Sequence, residues 1–289
     1  MRRPIALLAI LALACASHAA AQSSPVTAAD SALQARATKT AITRSAFTRN
    51  DMYLAGAFVL GIAATAALDA DWGGRLQASR VQQRGVVRSF SKGASILGNP
   101  GAVIVTSALY AGGRLLNQRG LADAGLHATE AVVLSGIITS AMKGVVGRAR
   151  PNTPNSDPSE IGPDPDQFRV GRGFSSEGYS SFPSGHTTVA FAAASAFTRE
   201  LSETHKRAAW IVGPILYSGA TAIGLSRMYD NKHWASDVVA GAAVGTLVGR
   251  TLVAHQHAHR GNRMDRLLLP NAVEPSATGL TLRWSLSVR

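Results

Sequence analysis

The stretch AAWIVGPILYSGATAIGL (residues 208–225) runs directly into SRMYDNKHWASD (residues 226–237), and this junction decides the architecture. Its first half is apolar, rich in Gly and Ala, and of helical length. Its second half is dense in charge and imidazole. Segments like the first recur at about 53–69, 99–116, 126–146, 187–200 and 236–254. Their small residues favour close helix–helix approach. Strand-period alternation does not occur before the C-terminus, so the fold class is all-α: a single bundle of about six core helices. In the tail, Leu280, Leu282, Trp284, Leu286 and Val288 alternate with polar residues, a β-strand signal. That strand either packs on the bundle or serves an interaction.

Composition narrows the function. Of 289 residues, 46% are apolar and only 16% charged, enough apolar material for a large core. The formal charge of +12 gives a general attraction to anionic surfaces, including a membrane surface. Nucleic acid is not an expected partner, because the basic residues are scattered and aromatics make up 6% of the chain.

The N-terminus has the form of an export signal over residues 1–21. Arg2 and Arg3 precede the apolar run Ile5 to Ala14, and Ala19-Ala20-Ala21 offers a small-residue cleavage site. Cys15, the one cysteine, lies inside it, so a mature chain forms no disulfide. Lipidation of Cys15 fits less well, because Ala12 stands where a larger aliphatic is expected. Residues 22–50 read as a linker or loose basic helix, 51–255 as the helical-bundle domain and 256–289 as a tail. A long Pro/Ser/Gly/Asp-rich segment, Asn152 to Phe182, has the character of a lid or substrate-selecting loop.

Segments 53–69 and 208–225 approach membrane-spanning length. Positive charge is not confined to alternate loops, however; Arg75, Arg80, Arg84, Arg88 and Lys92 share one connection. With the mature N-terminus outside, three crossings would also turn the chemistry inward. The sequence therefore favours an exported bundle in the periplasm, or attached to the periplasmic face of the inner membrane.

Three blocks carry the chemistry. Lys143 and Arg150 are seven apart, which places both on one helix face about 10 Å apart along the axis, with Pro151 marking the helix end. In Pro183-Ser184-Gly185-His186, Ser184 suits an N-cap and Gly185 a close backbone approach, so the first amides of the next helix face an anion. In the third block, His233 and Asp237 lie four apart, where a helix would let them hydrogen-bond. Arg227 can fork two phosphate oxygens. Read singly, each block also fits an ordinary helix end or solvated face. Read together, they fit a tetrahedral oxyanion site with nucleophilic and acid/base chemistry.

Lys-x6-Arg-Pro, Pro-Ser-Gly-His and Ser-Arg-x5-His-x3-Asp, in this order, resemble the signature of the type 2 phosphatidic acid phosphatase superfamily. That superfamily also contains bacterial class A acid phosphatases and vanadium haloperoxidases. Every motif position is matched, and the resemblance covers roughly residues 50–255. It implies that His233 is the nucleophile, forming a phosphohistidine, with Asp237 orienting it. His186 would be the general acid and then the base. Lys143, Arg150, Arg227, Ser184 and the Gly185 amide would bind phosphate. No metal or cofactor is implied.

The expected activity is a metal-independent phosphatase acting on phosphate monoesters or pyrophosphates. Phosphorylated lipids such as phosphatidate or an isoprenyl pyrophosphate are favoured as substrates over small phosphomonoesters. One alternative is a vanadium-dependent haloperoxidase, with vanadate in the same pocket. The other is a non-catalytic lipid-binding envelope protein, which the intact motif argues against. His255, His257 and His259 form a further cluster whose outer members share a helix face; a metal site there competes with a solvated helix end. His127 and His205 read as surface or helix-end residues.

Overall fold

The computed structural model describes residues 47–154, 164–258, 272–276 and 279–283. The export signal, Cys15, His259, most of the linker and part of the expected lid lie outside the described residues. The helices are α1 (Arg49–Ala66), α2 (Asp69–Gln77), α3 (Ser79–Gln82), α4 (Gly85–Gly98), α5 (Gly101–Leu115), α6 (Arg119–Val146), α7 (Gly185–Thr204), α8 (Lys206–Tyr229) and α9 (Ala235–Ala258). Two single-turn 3-10 helices, Arg172–Phe174 and Glu177–Tyr179, lie between α6 and α7. The tail forms an antiparallel hairpin of β1 (Ala272–Ser276) and β2 (Gly279–Arg283), with Ala272 opposite Arg283. The alternation at 280–282 thus belongs to a strand, while its first partner strand carries no comparable pattern.

Apolar runs located the long helices but not α2, α3 or α4, which occupy the supposed 72–92 connection. These are polar or amphipathic pieces, held by specific bonds rather than by a continuous apolar face. Gln77 and Gln82 donate Nε2 to the Tyr229 carbonyl at 3.3 and 3.0 Å, capping the end of α8. At the start of α1, Thr48 and Asp51 form a reciprocal capping box, so the expected linker ends before residue 49. Arg250 of α9 then donates to Asp51 at 2.8 Å.

Helix α7 runs through the middle of the bundle, against α6, α8 and α9. Small residues make this possible. A Cβ on Gly241, Gly245 or Gly249 would lie 2.6, 2.2 or 2.7 Å from a backbone oxygen of Ser184, Thr188 or Ala192. The i, i+4, i+8 stripe on α9 therefore lets two backbones touch, as helices do where tight packing replaces the hydrophobic effect. The interior is correspondingly built from alanines, including Ala128, Ala131, Ala192 and Ala196, around Val132, Phe197 and Val253.

Large apolar side chains point the other way. Leu60, Ile104, Ile137, Trp210, Ile211 and Leu225 are all more than half exposed. A bundle folded in water would cover such a belt, whereas lipid is its natural solvent. Among the described residues, helices α6, α8 and α9 are each long and apolar enough to cross a membrane, and counting each of the bent pairs α1–α2 and α4–α5 as one span raises the number to five. Helices of this length and composition suggest a membrane protein, which favours the membrane-attached form of the expectation over a free periplasmic bundle. Residues 69–98, which the sequence presents as a connection, form α2 to α4, and hydropathy windows do not show that the small residues face inward and the large ones outward.

Candidate active site

The C-terminal ends of α6 and α8 and the N-terminal ends of α7 and α9 meet at one end of the bundle. Their junctions carry all three motif blocks. Lys143 occupies the last turn of α6, which stops at Gly147 in the left-handed region, φ 61°. A Cβ there would lie 1.8 Å from the Arg169 carbonyl, so only glycine allows the chain to turn so close to the returning loop. Arg150 consequently lies beyond the helix, and the expectation that it shares a helical face with Lys143 is corrected. An extended segment carries it instead, with Ala149 N bonded to Gln167 O at 2.9 Å and Arg150 N to Gly178 O at 2.7 Å.

Residues 164–182 of the Pro/Ser-rich loop are bound tightly to the site. Lys143 Nζ donates to the carbonyls of Ser180 and Ser181. Arg150 donates to Glu177 at 2.9 Å and to Ser180 Oγ at 3.0 Å. Arg227, in the last turn of α8, donates to Ser95 Oγ at 2.6 Å and Asp230 Oδ2 at 3.0 Å. Asp230 also accepts from Ser91 and Ser95, which brings α4 into the site. Among the described residues, the Nε atoms of Arg150 and Arg227 are buried without a hydrogen-bond partner, at the positions assigned to an oxyanion.

Ser184 stands at the N-cap of α7 in extended conformation, but its side chain makes no capping bond. Its hydroxyl accepts from Thr187 at 2.9 Å and its amide donates to Asp237 O at 3.0 Å. The first amides of α7 thus remain open, with a positive helix end behind them. Gly185 is set against Lys143: an added Cβ would sit 3.6 Å from Lys143 Cε. His186 follows in the first turn and packs on Gly98, where a Cβ would lie 2.9 Å from the imidazole Cδ2. Burial, with Arg227, Lys143 and Arg150 nearby, pushes the His186 pKa down to about 4.

His233 is buried but lies just before α9 rather than on it. The helical i, i+4 geometry therefore does not apply, and its Nδ1 is 3.7 Å from Asp237 Oδ2, too far for a hydrogen bond. That correction has a cause. Asp237 is already engaged by Arg148 at 2.7 Å, Ser181 Oγ at 2.5 Å and the Trp234 amide at 2.9 Å. Its carboxylate fixes the residues around His233 and stays near it as a charge. Burial and the fields of Lys143 and Arg150, opposed by Asp237, hold His233 down to about 3.

Sequence reasoning passed over the group that organises this end. Arg148 is buried and bridges Asp69 at 2.8 Å and Asp237 at 2.7 Å, also donating to Ser236 Oγ and Pro165 O. Asp69 in turn accepts from the Ser236 amide at 2.9 Å. Every guanidinium nitrogen of Arg148 is occupied, so it anchors α2, the loop and α9 to one another rather than serving a ligand. Its flanks are stacked on Phe168 and Trp234, at 5.4 and 5.6 Å. Two positions before Arg150, it was visible only as a filler residue inside the motif.

Comparison with known proteins finds what this stretch is similar to. Residues 124–260 match the model of the PAP2 superfamily. Over 71 residues, 24% of this chain, it is 49% identical to the lipid A 1-phosphatase of Porphyromonas gingivalis, covering 15% of that protein. It is 34% identical over 138 residues, 43% of its length, to the probable lipid phosphate phosphatase 4 of Arabidopsis thaliana, covering 44% of it. The chain thus spans less than half the length of these curated relatives. Among solved structures, the transmembrane PAP2 type phosphatidylglycerolphosphate phosphatase of Bacillus subtilis overlaps 73% of this chain and 98% of its own, at 19% identity and a TM-score of 0.38. The matched stretch 124–260 contains Lys143, Arg150, Ser184, Gly185, His186, Arg227, His233 and Asp237, so the part of this chain that is similar to the PAP2 superfamily is the part that builds the pocket.

Proposed function

We propose that the chain is a metal-independent phosphatase of the membrane surface that cleaves phosphate from lipid phosphates. One observation carries this reading: Lys143, Arg150 and Arg227, from two helix ends and a loop, surround two buried or half-buried histidines at the open N-terminus of α7. Fixed cations and backbone dipoles of this kind stabilise charge on a transferring phosphoryl group without reorganising. His233 attacks phosphorus through Nε2, its Nδ1 being turned to Asp237. The P–O bond to the alcohol breaks, and His186 gives its proton to the departing oxygen. Water then attacks the phosphohistidine, His186 takes its proton, and the N–P bond breaks to release phosphate.

With the site at about pH 7, a pKa near 4 leaves His186 unprotonated before substrate binds. A phosphate dianion among the three cations offsets the field that depresses it, which restores a proton to the general acid. Substrate thereby assembles its own catalyst.

The lipid preference rests on the surroundings. Phe168, Val170 and Phe174 are half exposed or more on the loop that binds Lys143 and Arg150. Val86, Phe90 and Leu97 are exposed on α4 beside Arg227's partners. A polar pocket with an apolar rim, at the end of a lipid-facing bundle, suits an amphiphile. The named activities of the Porphyromonas and Arabidopsis relatives accord with that class.

Turnover of phosphatidate and of p-nitrophenyl phosphate by detergent-purified protein in excess EDTA tests the reading. Phosphate release from both, faster from the lipid, is expected. Halide oxidation with vanadate and peroxide but no phosphate release would replace it with the haloperoxidase chemistry.

A further inference from the structure

A second constellation lies at the opposite end of the bundle. His127 of α6, Glu200 of α7 and His257 of α9 converge, each supplying a ligand atom, with all three atoms within 4.8 Å of one another. His127 Nδ1 and His257 Nε2 both lie 3.0 Å from Glu200 Oε2. The rings meet edge to face at 5.8 Å, so neither blocks the other's approach to the carboxylate. By helical rise this cluster is roughly 24 Å from Lys143 along α6 and roughly 30 Å from Asp237 along α9.

We propose that His127, Glu200 and His257 form a structural zinc site that clamps α6, α7 and α9 together at the end remote from catalysis. Two imidazoles and one carboxylate are a recurrent zinc donor set, with water completing a tetrahedron. Ligands about 2.0–2.1 Å from such an ion stand roughly 3.3 Å apart, so the 3.0 Å separations here need only small adjustment. Glu200 is 8% exposed and the two imidazoles 14% and 20%, which leaves an approach for an ion and one water. The local charge is also suitable: Asp123 and Glu130 bear on His127, and Glu130 accepts from Gln256 at 2.8 Å. Arg199, the nearest cation in sequence, is turned to Glu203 at 2.6 Å. The three helices so joined are those that carry Lys143, His186 and Asp237 at their far ends.

The test uses the full chain, purified in detergent on a tag without histidine. Metal content after zinc loading should be one ion per chain, and cobalt(II) substitution should give the visible absorption of a low-coordinate N/O site. His127→Asn and His257→Asn should each weaken zinc binding about 100-fold, whereas His255→Asn should not. EDTA should lower the unfolding temperature by several degrees and leave initial phosphatase turnover at 25 °C unchanged. Wild-type protein without stoichiometric zinc and without a cobalt spectrum would overturn the proposal, as would zinc binding as tight as wild type in both His127→Asn and His257→Asn. Should a variant fail to fold, the wild-type cobalt spectrum still decides. Loss of turnover in EDTA with zinc at the far site intact would instead count against the metal-independent chemistry.

Discussion

The two ends of the bundle hold histidines in opposite surroundings. At one end His186 lies in the field of Arg227, Lys143 and Arg150 and His233 in that of Lys143 and Arg150, and burial with these cations drives both to the neutral form, near 4 and 3. At the other, His127 and His257 close on a single carboxylate, Glu200, with no lysine or arginine among the described residues bonded to it. The same α7 supplies a member to each. A cation-rich pocket prepares imidazole to attack or to accept a proton once an anion arrives. A carboxylate-centred pocket prepares it to hold something positive. The side chain is one; the field around it separates chemistry from attachment.

His233→Ala should produce the largest difference between the ends. Without a nucleophile, turnover is expected to fall by about 10⁴-fold or more. Phosphate affinity should change little, because the three cations persist; competition by inorganic phosphate in a binding assay measures this. The same change at His257 should leave turnover nearly intact. Wild-type-like activity in His233→Ala would end the mechanism. Next in size is Arg148→Met, which leaves Asp69 and Asp237 buried without their shared partner, at a cost of about 3–5 kcal/mol. Thermal unfolding should therefore drop sharply, and Arg148→Lys should recover only part of it, since one ammonium cannot reach both carboxylates as a fork does. A loss of phosphate affinity with unchanged stability would instead place Arg148 among the ligand-binding cations.

How much of this was legible in the sequence differed between the ends for a physical reason. Local spacing carried the catalytic blocks, because Lys143, Gly185, His186, Arg227, His233 and Asp237 lie at helix ends that the apolar runs already mark. Contacts between distant segments left no such trace. Asp69 meets Ser236 across 167 residues, and Glu200 meets His127 across 73. His257 was conspicuous only beside His255 and His259, its neighbours in sequence; the fold pairs it with other helices instead. Where a helix stops was likewise misjudged. Pro151 marks a helix end at Arg150 in the sequence, whereas Gly147 ends α6 in the fold, and His233 precedes α9, outside the reach of the i, i+4 rule.

A smaller effect separates positioning from chemistry. Gly98→Ala would bring a methyl to 2.9 Å from the His186 ring and 3.0 Å from Ile223. Alanine is the better helix former by roughly 0.5–1 kcal/mol, so stability should stay close to wild type while the imidazole is displaced. Turnover is then expected to fall about tenfold, within the range by which general acids act. A similar fall in unfolding temperature would show that α4 packing, rather than His186, had been disturbed.

The acid limb of stability gives the finest contrast. In the unfolded chain both site histidines titrate near 6.5, whereas in the fold they resist protonation until about 4 and about 3. Between these limits the unfolded state binds more protons, so stability must decline as pH falls, fully present above about 6.5 and lost progressively through the lower values. His186→Asn, which carries no proton to gain, should flatten the limb between pH 6.5 and 4 in unfolding profiles recorded in detergent, without altering the plateau above pH 7. Saturating inorganic phosphate should flatten it too, because an anion between Lys143, Arg150 and Arg227 relieves the field on His186. An acid limb indifferent to both would mean that the cations do not act on His186 as a group, and the pocket would lose its claim to a field that substrate reverses.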